Sequence, residues 1–209
     1  MDARYLSRRK IYGAIQRIIH AWIGATVVAL VALGWFTKMV DPGGAKLPLI
    51  QAHIFLGYGL VVGFVARLVW GMIGPEHARL SALINPEAWS TAVRKLKLET
   101  PNAFGHDAFA SVAYLIFYGA IGVSVLSGLA LAGMRYDIGP FAPTLFDNLQ
   151  FHEWTMTAHE AVLYIATGFT VMHITAMIMH EKKRGYPIAQ AMVTGYQYRP
   201  ISPEDIDHE

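Results

Sequence analysis

The chain has 209 residues, of which 54% are hydrophobic and only 15% charged, and its mean hydropathy is +0.35. Soluble domains carry about 25% charged residues, so this composition excludes an ordinary soluble enzyme, and it also excludes disorder, which needs low hydrophobicity and high charge. A net charge of +2 leaves no nucleic-acid footprint, and the absence of cysteine excludes disulfides, iron–sulfur clusters, thiolate zinc sites and thioether-linked haem.

A membrane-crossing helix needs roughly 20 mostly apolar residues. Four stretches qualify, over about 18–36, 53–73, 108–134 and 155–179. None shows the polar face of a soluble amphipathic helix. The first is too long, and lies too far into the chain, for a cleavable signal peptide. The predicted fold is all-α: a four-helix transmembrane bundle over residues 1–199, with a polar tail over 200–209. Two short interfacial helices are predicted as well. One follows Asn85-Pro86 and carries Trp89, Val93 and Leu96 on one face over 86–98. The other follows Pro187 over 187–194.

Lys and Arg orient the spans. Thirteen fall on one side, in the N-terminal arm, the loop between spans two and three, and the tail. Only Lys38, Lys46 and Arg135 fall on the other. Excess Lys and Arg marks the cytoplasmic face. Both termini are therefore expected in the cytoplasm, with the loops 37–52 and 135–154 outside.

Nine histidines are the chain's chemical resource. Ionisable residues inside spans are candidates for function. His20 lies at the inner start of span one, His53 at the outer start of span two, and His159 near the outer start of span four. His173 follows His159 by fourteen residues. Fourteen steps of about 100° return to nearly the same direction, so both point to one side, about 21 Å apart along the axis. Topology then pairs His53 with His159 in the outer leaflet and His20 with His173 in the inner leaflet.

Two facing imidazoles on different helices suit the two axial positions of a haem iron, and two such haems form an electron wire. Zinc or non-haem iron fits less well, because those sites gather three or four ligands. A histidine proton relay is the third alternative; Glu160 is the sole carboxylate clearly inside a span. Glycines at 24, 34, 57, 59, 63, 119, 122 and 128 allow close helix packing or the approach of a flat macrocycle. Arg67, one turn from the inner end of span two, either snorkels to the interface or grips a propionate of the inner haem. His106, at the inner mouth of span three, is a cap or a proton carrier near a quinone. His152 is the rival to His159, and its place seven residues earlier puts it in the outer loop. His77, His180 and His208 read as interfacial or solvent residues.

These residues resemble the membrane b-type cytochrome subunit of respiratory nickel–iron hydrogenases, within the bacterial cytochrome b561 superfamily. The second-span pattern appears as His53, Gly57, Tyr58, Arg67, Trp70 and Gly74, followed by Ala78-Arg79. Gly105-His106, Ser127-Gly128-Leu129-Ala130-Leu131 and Phe141-Ala142-Pro143 match further elements. So do the His159–His173 spacing and the tail element Met192-Val193-Thr194-Gly195-Tyr196. The likeness covers roughly residues 11–198. The first-span motif departs from it, reading Arg17-Ile18-Ile19-His20-Ala21-Trp22 with one residue inserted before the tryptophan.

The resemblance implies a multi-pass protein of the inner membrane with two haems b per chain. An outer-face oxidoreductase, a nickel–iron hydrogenase through its small subunit, would exchange electrons with the quinone pool through the haems. Two other readings stay open. One is a free-standing cytochrome b561 acting as a quinone oxidoreductase. The other is the anchor of a molybdoenzyme or of a periplasmic c-type cytochrome.

Overall fold

The computed structural model describes residues 6–41, 44, 46–75, 78–83, 108–141, 149–187 and 189–200. The element order is β1 (Leu6–Lys10), α1 (Ala14–Met39), α2 (Lys46–Ile73), a 3-10 turn (Leu80–Leu83), α3 (Ala108–Tyr136), α4 (Leu149–Arg184), α5 (Ala191–Thr194) and β2 (Tyr196–Pro200). Four of these helices are long and apolar enough to cross a membrane. The predicted interfacial helix over 86–98 lies outside the described residues. Its counterpart near 187–194 is one helical turn, Ala191–Thr194.

Every spanning helix is longer than its apolar stretch. Hydropathy marks only the hydrocarbon depth, whereas helical hydrogen bonding continues into the interface until a breaker stops it. Helix α1 starts after Gly13 and stops at Val40, just before Asp41-Pro42. Helix α2 accommodates Pro48 in its first turn, where a missing N–H costs nothing, and it ends before Pro75. Helix α3 closes on Asp137, whose φ is 53°. Helix α4 has 36 residues, about 54 Å, and overhangs a hydrocarbon core of about 30 Å. Its early start corrects the reading of His152: this residue lies in the first turn of α4, not in a loop.

The helices form a closed ring. Helix α1 packs chiefly on α2, α3 chiefly on α4, and lesser contacts join α2 to α3 and α1 to α4. This is the antiparallel up-and-down arrangement of a four-helix bundle. A small apolar core of Ile23, Val27, Leu30, Leu60 and Ile121 sits between α1, α2 and α3. Large apolar side chains such as Ile18, Phe55 and Val62 face outward, as lipid contact requires. Among the described residues, no large side chain is fully buried.

The α1–α2 contact depends on a tryptophan seated on glycines. Trp22 Nε1 donates to the Gly59 carbonyl at 2.8 Å. A Cβ at Gly63 would stand 2.6 Å from Trp22 Cδ1 and 3.1 Å from Ile23 Cγ1. At the chain's two ends, β1 pairs antiparallel with β2, from Leu6 opposite Pro200 to Lys10 opposite Tyr196. Both ends of the described chain thus lie together on one side of the bundle. Gly195 makes the junction. Its φ is 88°, its carbonyl accepts the N–H groups of Ile11 and Tyr12, and a Cβ there would meet the Tyr12 carbonyl at 2.6 Å. Arg17 also donates to the Val193 carbonyl. The two strands were absent from the sequence prediction. Their five-residue runs are too short to stand out beside the spans, and β1 is strongly basic.

The Trp22 seat sets a testable expectation. Gly63→Leu should force α1 away from α2 at an overpacking cost of about 1–3 kcal/mol. Trp22→Phe, which loses the hydrogen bond and trims the ring that packs on Gly63, should cost about 1 kcal/mol or more. Because the two changes strike one contact, the double variant should cost less than their sum. Thermal unfolding of the detergent-solubilised chain measures all three.

Candidate functional site

The ring of helices brings the predicted histidines together in two pairs. The rings of His53 and His159 have centroids 6.0 Å apart and planes at 78°. Those of His20 and His173 are 6.5 Å apart at 52°. Helix α4 supplies one member of each pair, α2 supplies His53 and α1 supplies His20. Imidazole nitrogen binds first-row metals at about 2.0–2.1 Å, so two rings sharing one metal have centres about 6 Å apart. Among the described residues, no three of His, Asp or Glu converge as a metal cluster. Each pair offers two nitrogens and no more.

The pair expected on the outer side, His53 and His159, lies in a cavity of about 510 Å³ between the helices, lined by Gly57, Phe117 and Gly128 among others. That volume is within the range of cofactor sites. Gly57 lines the cavity with open space where a Cβ would be, whereas a Cβ at Gly128 would lie 3.2 Å from His159 Cε1. The small residue at 128 lets the His159 ring lie against α3.

A serine on α3 lies against the His159 ring. Ser127 Oγ lies 2.6 Å from the Val123 carbonyl, the natural taker of its single proton, and 2.9 Å from His159 Nδ1. With its proton given to the carbonyl, the hydroxyl accepts from Nδ1–H. The lone pair of His159 is then on Nε2, the state in which a histidine ligates. Ser127 stood in the sequence only as part of a Ser-Gly element; its role appears once α3 and α4 are packed. On the other side, His53 Nδ1 is buried and has no hydrogen-bond partner. A buried, unpaired ring nitrogen is costly unless something coordinates or bonds it.

The inner pair is more open. His20 is exposed and His173 half-buried. His173 stacks on Phe169, with centroids 5.7 Å apart and planes at 7°, and Phe169 stacks on Phe117 at 3.9 Å. Phe117 also lines the outer cavity. Tyr114 packs on His173 with centroids 6.1 Å apart. The sequence reading missed all three aromatics, because such residues are common in spans and carry no spacing signature.

Arg67 is buried. Its Nε donates to Tyr118 Oη at 2.9 Å, and its Nη1 donates to the Ala78 carbonyl at 3.1 Å. The side chain therefore ties the end of α2 to the following turn and to α3. Glu160, beside His159 in the sequence, pairs with Lys38 at 2.9 Å. His152 lies two turns outward of His159 on the same helix face. His180 is half-buried near the end of α4. His77, His106 and His208 lie outside the described residues.

Comparison with known proteins follows the same lines. The family described as prokaryotic cytochrome b561 matches residues 11–195. A protein of Cupriavidus necator is 24% identical over 90% of this chain and 86% of its own length. One of Azotobacter vinelandii is 26% identical over 90% and 87%, and one of Bradyrhizobium diazoefficiens 23% identical over 88% and 84%. All three carry the name probable Ni/Fe-hydrogenase B-type cytochrome subunit. No solved structure matches. With four spanning helices, two facing histidine pairs and a family match along nearly its whole length, the chain belongs to the prokaryotic cytochrome b561 family.

Proposed function

We propose that this chain is the membrane electron-transfer subunit of a hydrogenase-type complex, holding two b-type haems in the inner membrane. The observation that carries the reading is the pair of pairs: one helix presents His159 and His173 at two depths, and each meets a histidine of another helix about 6 Å away. The residues fit the group. The outer cavity is large enough, Gly57 leaves space at its wall, and His53 keeps an unpartnered buried nitrogen. A haem held between the histidines of each pair would supply reversible one-electron chemistry.

The protein's own groups do the rest. Ser127 orients His159 and holds its proton on Nδ1. Phe169 stacks on His173 and, with Phe117, places aromatic rings between the two levels. Arg67 has N–H donors beyond the two engaged by Tyr118 and Ala78, and we assign it to the carboxylates of the inner haem. Tyr114, one turn from Tyr118 on the same face of α3, packs on His173, which supports that assignment.

The basic residues Arg17, Arg79 and Lys182 mark the inner side by the Lys and Arg asymmetry. The outer loops then face the partner oxidoreductase, which the relatives' names suggest is a nickel–iron hydrogenase. Electrons leave on the inner side to quinone, where His106 is a candidate proton carrier.

Pyridine haemochrome analysis of the purified chain should give two non-covalent haems per polypeptide; a single haem would remove one pair from the reading. His159→Ala should abolish the low-spin spectral component of one haem and spare the other, and His173→Ala should do the reverse. If His159→Ala keeps both while His152→Ala loses one, the outer ligand is His152. Ser127→Ala frees the His159 ring to change tautomer. Loss of such a supporting bond commonly costs 10- to 100-fold in metal-site affinity or activity, so this variant should release its outer haem to apomyoglobin faster than the wild type.

A further inference from the structure

Three cations of the outer side remain without a task. Lys38, Lys46 and Arg135 are the only Lys or Arg in the regions assigned to that side, which the Lys and Arg asymmetry leaves poor in basic residues. All three line the cavity that holds His53 and His159. Lys38 is neutralised by Glu160. Among the described residues, Lys46 and Arg135 have no acidic partner.

Position sharpens the point. Arg135 lies in the last turn of α3, where the helix dipole welcomes a cation. Lys46 opens α2, at the positive end of the dipole, where a cation is disfavoured. Something negative should offset it. Lys46 precedes His53 by seven residues, two turns along one helix face. Arg135 follows Gly128 by the same seven, and Gly128 is the residue against which His159 lies. Both cations therefore stand about 10 Å outward of the histidine level, one on the α2 face that carries His53 and one on the α3 face that His159 lies against. A largely apolar cavity with two nitrogens midway, and at its outer end two cations that have no acidic partner among the described residues, suits a flat ligand with two carboxylates on one edge.

We propose that Lys46 and Arg135 bind the two propionates of the outer haem and so fix which edge of it faces outward. This rests on the two-haem reading above. Arg135 presents a planar fork that takes a carboxylate through two parallel bonds, whereas Lys46 offers a point charge on a flexible stem. Loss of either cation leaves a propionate uncompensated, and that negative charge favours the ferric state.

The test is a potentiometric titration of the haems in membranes containing the full chain, with haem counted per polypeptide in each variant. Lys46→Gln and Arg135→Gln should each lower the midpoint potential of one haem, the one lost in His159→Ala, and leave the other unmoved. The double variant should lower it further or lose that haem alone. Lys46→Arg and Arg135→Lys should keep both haems and shift that potential less than the glutamine variants do. Two haems with unchanged potentials in the glutamine variants would overturn the inference while leaving the two-haem reading intact. So would charge-keeping variants that shift as far as the neutral ones, because packing rather than charge would then be at work. Fewer than two haems in the wild-type chain would instead overturn the reading on which the inference stands.

Discussion

A single rigid rod sets the geometry on which the rest of the molecule depends. Helix α4 presents His159 and His173 on one face, fourteen residues apart, and a helix cannot alter that spacing without breaking its hydrogen bonds. The other helices must deliver their imidazoles at those two depths. They do so from opposite ends. His20 lies six residues into α1, and His53 lies seven residues into α2. Antiparallel neighbours that enter from opposite sides therefore each place a histidine about two turns from their own starting point. Helix α3 gives no histidine. It contributes the hydroxyl that orients one ring and the tyrosine that packs against another.

The bundle is tight within its two helix pairs and open between them. Trp22 on Gly59 and Gly63 closes α1 on α2. Gly128 lets the ring of His159 lie against α3. The outer cavity lies where these pairs face each other, and its walls come from all four spanning helices. Small residues thus act in two ways here. At Gly63 and Gly128 they bring protein to protein, and at Gly57 they leave room. Sequence cannot separate these uses, because glycine spacing is the same for both.

The spans, their number and the pairing of histidines could be read from residues alone, because membrane depth converts position in the chain into position in space. A histidine at the start of one span must share a leaflet with one at the opposite end of the next. Other features needed packing to appear. Ser127 becomes informative only when α3 faces α4, and the Lys38–Glu160 pair joins residues 122 positions apart. Helix ends were misread wherever helix continued past the apolar stretch, and this is why His152 was assigned to a loop. The terminal ribbon escaped notice because its strands lie at opposite ends of the sequence. The glycine that enables it, Gly195, was visible only as part of a tail element whose physical role was hidden.

The ribbon and the last span share a consequence for how the protein is made. Chains emerge from the ribosome N-terminus first. His20 and His53 are synthesised early, but both of their partners ride on α4, and β2 follows α4. Neither histidine pair exists until α4 has been made, and β1 has nothing to join until β2 follows. Premature termination anywhere before α4 would yield a membrane-inserted fragment with no complete pair at all, not a half-loaded one. Once β2 docks on β1, Gly195 and Arg17 fasten the segment after α4 to the segment before α1. That closure comes only after the spanning helices have all been made.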